Sequence, residues 1–427
     1  MSRMEELINE LCPDGVEYVE LDRFASIGKI GVDKKIDSNE KKIKLLNYMD
    51  VYRNRKITED VITMEVTASD KKIEQCDLKI GDVFITPTSE TINDIGHSGV
   101  IVEDIKNAVY SYHLMRIRLT SKEVSPYFLS YLFESRTIQS QIMRKATGLT
   151  RYGLSKRNFE KLLFPLPPLP VQEEIVRILD DFTKLTAELT AELTAELTAR
   201  KKQYEYYRNE LLSLEVTKDA NVKWIALGEI VDYRRGSFPQ PYGERRWYGG
   251  DNCMPFVQVA DVAESGMCLK AKTKRYISEL AMPKSVFVPE GTVIVSLQGS
   301  IGRVAITQYD AYVDRTLAIF LRYKIEINKR YFAYQIEKKF GIEKETARGS
   351  TLKTITKKEF TKFEIPVPSL EEQARIVAIL DRFDALVNDI TSGLPAEIEA
   401  RRKQYEYYRD RLLDFPQIAS GKKEASA

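Results

Sequence analysis

Cysteine and histidine are scarce in this sequence: four cysteines (Cys12, Cys76, Cys253, Cys268) with no Cys-x-x-Cys pair, and two histidines, His97 and His113. A zinc cluster or a disulfide framework has almost nothing to be built from, and a reducing, cytoplasmic location is the natural reading. Charge of one sign is also missing. Lys and Arg total 65 against 63 Asp and Glu, a net of +2, so any affinity for a polyanion must reside in local patches. No apolar run of about 18 residues occurs, and the first residues lack the apolar stretch of a signal peptide; no membrane partner is expected. The common catalytic signatures are absent too: no GxxxxGK[ST] loop, no HExxH, no GxSxG and no complete GxGxxG. Gly299-Ser300-Ile301-Gly302 is a fragment of a glycine loop and reads as a turn between two strands, while His97 and His113 read as structural. No catalytic residue and no metal ligand set is assigned. What remains is a chain of 427 residues, 43% hydrophobic, enough for roughly two to four domains.

The chain repeats itself. Residues 199–208 read ARKKQYEYYR and residues 400–409 read ARRKQYEYYR, nine identities in ten positions at an offset of 201. The same offset pairs Gly148 with Gly349, Pro165 with Pro366, Gln172 with Gln373, Asp180 with Asp381 and Phe182 with Phe383. Upstream the match fades to hints such as Gly81-Asp82-Val83 against Gly291-Thr292-Val293. The order is variable, repeat, variable, repeat. The boundaries are a first variable domain over 1–164, a first repeat helix over 165–217, a second variable domain over 218–365, and a second repeat helix with its tail over 366–427.

Each repeat reads as a long helix after a proline-rich entry. Ile175, Ile178, Leu179, Phe182, Leu185, Leu189, Leu193 and Leu197 keep helical spacing to about Leu214. The second copy opens on the capping box Ser369-x-x-Glu372 and carries Ile376, Ile379, Leu380, Phe383, Leu386 and Val387 on the same face. Ser392-Gly393-Leu394-Pro395 predicts a break there. At the equivalent point the first copy has three Thr-Ala-Glu-Leu units within residues 186–199. Four helical residues advance ~6 Å and rotate ~400°, a net ~40°, close to the ~35° twist of one DNA base pair. Re-spacing of two DNA-reading modules is one reading; helical filler is the other, and periodicity alone favours filler.

The variable domains read as mixed α/β, with strands over 83–86, 115–119, 293–296 and 317–321 and helices over 126–145 and 329–345. Cations cluster with aromatics and amides in both: Arg53, Arg55 and Lys56 after Asn47-Tyr48-x-Asp50-x-Tyr52, and Arg234, Arg235, Arg245 and Arg246 beside Trp247 and Tyr248. Such sets suit phosphates and base edges of double-stranded DNA. The paired aromatics Tyr204 and Tyr207, and Tyr405 and Tyr408, share helical faces with Leu211 and Leu412. They fit packing between helices or docking of a partner better than base stacking.

This pattern closely resembles the specificity subunit of type I restriction-modification systems. The resemblance rests on PLPPLPVQEEIVRILDDFTKLTAELTAELTAELTARKKQYEYYRNELLSL from Pro165, answered by PVPSLEEQARIVAILDRFDALVNDI and ARRKQYEYYRDRLLDF; the TAEL array looks like that of a subgroup in which copy number alters the spacer. The resemblance implies an α/β fold of two target-recognition domains separated by two long antiparallel coiled-coil helices, a pseudo-twofold internal repeat. Each domain would read one half of an asymmetric, interrupted DNA site. Implied partners are two methyltransferase (modification) subunits and two restriction (motor-nuclease) subunits. S-adenosylmethionine, ATP and Mg are implied on those partners, with no cofactor on this chain.

The resemblance supplies no base code, so candidate DNA-binding residues follow from loop position and side-chain chemistry. In the first domain they are Lys29, then Asn47, Tyr48, Tyr52, Arg53 and Arg55, then Thr88, Ser89, Thr91 and Ser98, joined by Thr150 and Arg151. In the second they are Arg235, Arg245, Arg246 and Tyr248, then Gln258, then Gln298, Ser300 and Arg303, joined by Ser350, Thr351 and Lys353. A stand-alone DNA-modifying enzyme would need a hidden active site, and a coiled-coil adaptor would leave both basic domains idle.

Overall fold

The computed structural model describes residues 3–28, 30–213, 222–263, 266–346, 361–388 and 393–418. The chain forms two compact units that cut across the sequence repeat. The first joins residues 1–189 to 401–427, and the second is 190–400. The helix Leu169–Ser213 contributes its first part to one unit and its last part to the other.

The first unit is built on a five-stranded sheet in the order Ala25–Gly28, Met115–Leu119, Val83–Ile85, Ser98–Ile101, Lys56–Ile57, antiparallel except at its last pair. A three-stranded sheet of Glu65–Ala68, Lys41–Leu46 and Ala108–Tyr110 adjoins it. Phe84 is buried on the face that packs with Leu45, Val109 and Tyr110, whereas Val83 and Ile85 lie in the core shared with Phe128 and Leu132, so the central strand serves two cores by simple alternation. The helix expected over 126–145 divides into Pro126–Glu134 and Arg136–Lys145 because Ser135 is extended (φ −66, ψ 147) and caps the second piece.

The second unit has the same plan. One four-stranded sheet runs Val231–Arg235, Leu317–Tyr323, Val293–Ser296, Val304–Ile306; another runs Arg275–Ile277, Met254–Val257, Ala311–Val313, Val286–Val288, with 254–257 and 311–313 parallel. The helix Lys329–Thr346 lies beside them. The expected strands over 115–119, 293–296 and 317–321 are all present, the last extending to Tyr323.

Each variable domain is tied to its helix in the same way. Glu17–Glu20 pairs with Leu163–Leu166 and Lys223–Ala226 with Glu364–Val367, placing Pro165 opposite Tyr18 and Pro366 opposite Trp224. Both pairs are two-stranded, so each proline sits on an edge where its missing N–H costs nothing. Gln172, fully buried, accepts from Ser125 N–H at 2.8 Å and donates to Pro167 O and Glu123 O; Gln373 accepts from Asn328 N–H at 2.8 Å and donates to Pro368 O at 2.9 Å. Tyr131 Oη donates to Asp180 and Tyr334 Oη to Asp381, both at 2.7 Å. The identities found by the 201-residue offset are these docking contacts.

The far end of each repeat completes the opposite unit. Tyr408 stacks on Phe182 with centroids 5.9 Å apart and Tyr405 hydrogen-bonds Thr183 at 3.0 Å, so in the first unit the C-terminal helix runs antiparallel to the start of the long one. In the second unit Tyr207 stacks on Phe383 at 5.9 Å. The second repeat is not one rod: it divides into Leu370–Asn388 and Leu394–Leu413, with Pro395 in the first turn of the latter. Beyond it, Val16 N–H donates to Pro416 O at 2.8 Å, and Gly15 adopts φ +101 where any Cβ would strike that carbonyl.

Candidate nucleic-acid interface

In the first unit the structure gathers three of the predicted loops. Residues 47–53 form a short helix capped by Asn47, whose Oδ1 accepts from Met49 N–H at 2.9 Å while Asp50 accepts from Asn47 N–H. Tyr48 Oη reaches Thr88 O at 3.1 Å, Arg151 Nε donates to Thr88 Oγ1 at 3.2 Å, and Thr88–Ser89 pairs with Tyr152–Gly153. Asp94 ties the group together: it accepts from Tyr52 Oη at 3.1 Å and Ser89 Oγ at 2.8 Å, and contacts His97 Nε2 at 2.9 Å. Burial works to raise the Asp94 pKa, but these three hydrogen bonds outweigh it and hold the carboxyl below its ordinary value. Asp94 is thus a fixed anion that orients Tyr52 and His97, whose rings lie 4.3 Å apart.

Exposed on this face are Arg53, Thr91, Thr150 and Arg151. Thr88 fixes one nitrogen of Arg151; its other guanidinium nitrogens have no hydrogen bond among the described residues, the state a base- or phosphate-reading arginine requires. Tyr112, which sequence reasoning passed over, and His113, which it read as structural, belong here. His113 has its pKa lowered by burial and by the positive charges of Arg151 and Lys34, and Tyr112, half exposed, lies against the His113 ring. Their signal was positional: the connection 111–114 between two strands corresponds to 314–316 in the second unit, where Arg315 is exposed.

Four first-unit expectations change. Arg55 is an internal residue, ion-paired to Glu134 with its guanidinium 3.8 Å over the Tyr131 ring. Ser98 is buried and hydrogen-bonded to Ser130, and Asn47, 8% exposed, has its acceptor engaged by the helix it caps. Ser89 is likewise buried and serves Asp94. Lys29, Ser350, Thr351 and Lys353 lie outside the described residues.

In the second unit the 235–248 segment surrounds an aromatic cluster of Phe238, Trp247, Phe256 and, partly buried, Tyr242 and Tyr248. Tyr248 is a support: its Oη donates to Tyr242 O at 2.8 Å and its ring stacks on Phe238. Gln258 opens a short turn that matches Asn47, its N–H donating to Asp261 at 2.8 Å as Asn47 donates to Asp50, and its side-chain amide donates to Tyr242 Oη. Tyr242 Oη in turn donates to Asp314 at 2.7 Å. Burial and the Asp314 carboxylate push the Tyr242 pKa up. Arg235, Arg245 and Arg246 are exposed, the last paired with Glu244 and 4.4 Å over Trp247. Lys284 and Arg275, unflagged by sequence, lie over Trp247 and Tyr248 at 5.2 and 4.8 Å. Gln298 and Ser300 stand exposed in the turn between Val293–Ser296 and Val304–Ile306, as the glycine fragment predicted, with Arg303 half-buried beside it.

The helix tyrosines also separate. Tyr204 is buried and packs with Leu211, Leu380 and Val387, so it is not a docking surface; Tyr207 and Tyr408 keep about two fifths of their area open, and Tyr206 and Tyr407 are the exposed rings at 58% and 61%. No described helix is long and apolar enough to cross a membrane.

Two similar modules, each offering a different set of cations, amides and aromatics from loops over a duplicated helical frame, define a bipartite recognition protein. The chain belongs to the type I restriction modification DNA specificity domain family, whose model matches residues 13–199 and 220–400. It is 38% identical over 279 residues to the specificity subunit of the type I restriction enzyme EcoR124I/EcoR124II of Escherichia coli, covering 62% of this chain and 66% of that one. The match thus spans about two thirds of that relative's length. It is 28% identical over 343 residues to the EcoprrI specificity subunit of the same species, covering 75% of this chain and 77% of that one. Its fold matches a chain solved in a study of type I restriction-modification complex assembly (TM-score 0.65, 21% identity, 95% and 98% covered) and the HsdS subunit of Thermoanaerobacter tengcongensis (TM-score 0.55, 20% identity, 95% and 96% covered).

Proposed function

We propose that this chain gives sequence specificity to a type I restriction-modification complex in the cytoplasm, each unit reading one half of an interrupted, asymmetric double-stranded DNA site. The observation that carries this is the contrast between shared and unshared residues. The contacts made by Gln172 and Gln373, and by Asp180 and Asp381, are duplicated, whereas the loops bearing Arg151 in one unit and Arg235, Arg245 and Gln298 in the other have different chemistry. A common frame with divergent loops is what two different half-sites require. The chain itself carries out no reaction in this reading. Two modification subunits dock on the helices and transfer methyl groups to adenine from S-adenosylmethionine, and two restriction subunits add ATP- and Mg-dependent cleavage.

The test is the adenine methylation pattern of DNA from cells expressing this chain with its modification subunit, against the modification subunit alone. A two-part interrupted motif seen only with this chain is the expected outcome; no motif from a verified, active complex overturns the reading. Within it, Arg151→Ala relaxes one position of the first half-site by about 1–3 kcal/mol. Arg53→Ala weakens all sequences alike and lowers the salt slope by about one. Titration of the complex with matched and single-mismatch duplexes at two salt concentrations separates the two effects.

A further inference from the structure

The two units repeat the same helix-docking contacts, and one position departs from the repeat. In the first unit Val100 N–H donates to Arg55 O at 2.7 Å, and Val100 faces Val83 across the antiparallel pair. In the second, Ile306 N–H donates to Met267 O at 2.9 Å, and Ile306 faces Val293. Val83 and Val293 are the matched residues of the two Gly-x-Val segments, so Met267 stands where Arg55 stands.

Most of what surrounds that position is kept. Arg55 lies over Tyr131 and pairs with Glu134, which Arg409 also approaches at 3.7 Å. Tyr131, Glu134 and Arg409 recur as Tyr334, Glu337 and Arg208, with Arg208 3.4 Å from Glu337. Lys56, next to Arg55, pairs with Asp180 at 2.8 Å, and Arg330 does the same for Asp381 at 2.8 Å. Arg330 takes only part of the place of Arg55: its charge reaches Glu337 and Asp384 and its guanidinium lies 5.8 Å from the Tyr334 centroid, but its ion pair is with Asp381. A second change adds to the deficit: Thr183 of the first unit becomes Asp384, which accepts from Asn388 Nδ2 at 2.9 Å and has no ion pair among the described residues. One carboxylate approached by two arginines has become two carboxylates, of which Glu337 is within ion-pair distance of Arg208 alone, with Arg330 acting from further off.

The space is open. A cavity of about 270 Å³ beside Met267 and Tyr334 has as its charged lining Lys201 and Arg208 against Glu205, Glu337 and Asp384. Burial, with the neighbouring Asp384 charge, raises the Glu337 pKa despite the charges of Arg208 and Arg330. Arg330, 5.8 Å from the Tyr334 centroid, does not line it; Arg303 lines an adjoining cavity of about 230 Å³ and has partners of its own.

We propose that this cavity is a socket for an arginine side chain of a modification subunit docked along residues 201–208, its guanidinium taking against Tyr334, Glu337 and Asp384 the place that Arg55 takes against Tyr131 and Glu134. The proposal rests on the reading that modification subunits bind this helix. Arginine fits better than lysine because a planar guanidinium stacks and pairs at once, as Arg55 does. It also makes the two docking positions unequal, since only the second unit has the socket.

The full chain is titrated with its modification subunit, and stepwise binding is read by native mass spectrometry for the wild type and for Met267→Arg, which supplies the missing cation from within. The expected result is one binding step weakened at least about tenfold, the other unchanged, and a melting temperature no lower than wild type. Equal binding by both proteins overturns the socket. A second arm does not depend on the modification subunit: N-acetylarginine amide is expected to raise the melting temperature of the wild type and not of Met267→Arg, and its citrulline analogue is expected to do nothing. The absence of an arginine-specific shift overturns the proposal, and an equal shift with putrescine overturns the arginine assignment in favour of a free diamine. Failure of the wild type to bind any modification subunit, with the arginine-specific shift intact, refutes the docking reading and not the socket's chemistry.

Discussion

Excision of residues 190–193, one Thr-Ala-Glu-Leu unit, is expected to abolish methylation of the wild-type motif and to create a motif with the same two halves and a spacer shorter by about one base pair. The helix Leu169–Ser213 runs unbroken through the array. Thr194 and Thr198 return their hydroxyls to the carbonyls four residues earlier, at 2.7 and 2.8 Å, so the poor helix former in each unit is locally satisfied. Removing four residues takes out ~6 Å of rise and a net ~40° of rotation, near the ~35° twist of one base pair. The unit repeats its own pattern, so Leu193, the buried leucine of the array, is replaced in register by Leu197. Stability should therefore change little while specificity changes completely. Genome-wide adenine methylation mapping of the deletion checks it; an unchanged motif would make the array filler.

Asp82→Ala carries the largest expected loss of stability. Asp82 is 1% exposed, accepts from Arg118 Nε and Nη2 at 2.7 and 2.6 Å, and accepts from Lys79 N–H at 2.9 Å. Removing it leaves the part-buried Lys79 N–H without its acceptor and an arginine without its best partner, at a cost of about 3–5 kcal/mol. Arg118 keeps Asp77 at 3.2 Å and is 26% exposed, so the low end applies, and the melting temperature of the first unit is expected to fall by about 6–12 °C. Asp33→Ala, removing an exposed pair with Lys35 at 3.2 Å, should leave the melting temperature essentially unchanged. Calorimetry of the three proteins checks this. The same network sets an acid limit. Burial opposes ionisation of Asp77, but the charge and hydrogen bond of Arg118, with help from Arg116, hold its pKa below the ordinary 3.8. A depressed carboxyl pKa contributes stability that is complete above the unfolded value and is lost as pH falls through the folded one. The wild type should therefore lose this contribution only below about pH 4.

The frame was legible because its chemistry is local and duplicated. Periodicity located the helix starts, and proline and glycine located the break before Pro395. Helix 126–145 was read as continuous because Ser135 can sit in a helix or cap one, and only packing selects the cap. The candidate interface was half legible. Loop position found Arg53 and Arg151, but Arg55, two residues from Arg53, has the same chemistry and the opposite fate, drawn inward by Glu134 and Tyr131 from a distant helix. Sequence cannot tell a free arginine from one whose partner is 79 residues away.

By itself the sequence determined the duplication, the recognition family it resembles, the helical rods with their capped entries, and the separation of a constant frame from two variable domains. All of these depend on short-range patterns that a chain carries wherever it goes. Tertiary structure alone decided which unit each repeat end completes, that Gln172 and Gln373 are the keys of the frame, that Tyr204 is core while Tyr206 is surface, and that Met267 leaves open what Arg55 fills. Those outcomes depend on partners far apart in the chain, and charge pairing and close packing act on distance in space, not on distance in sequence.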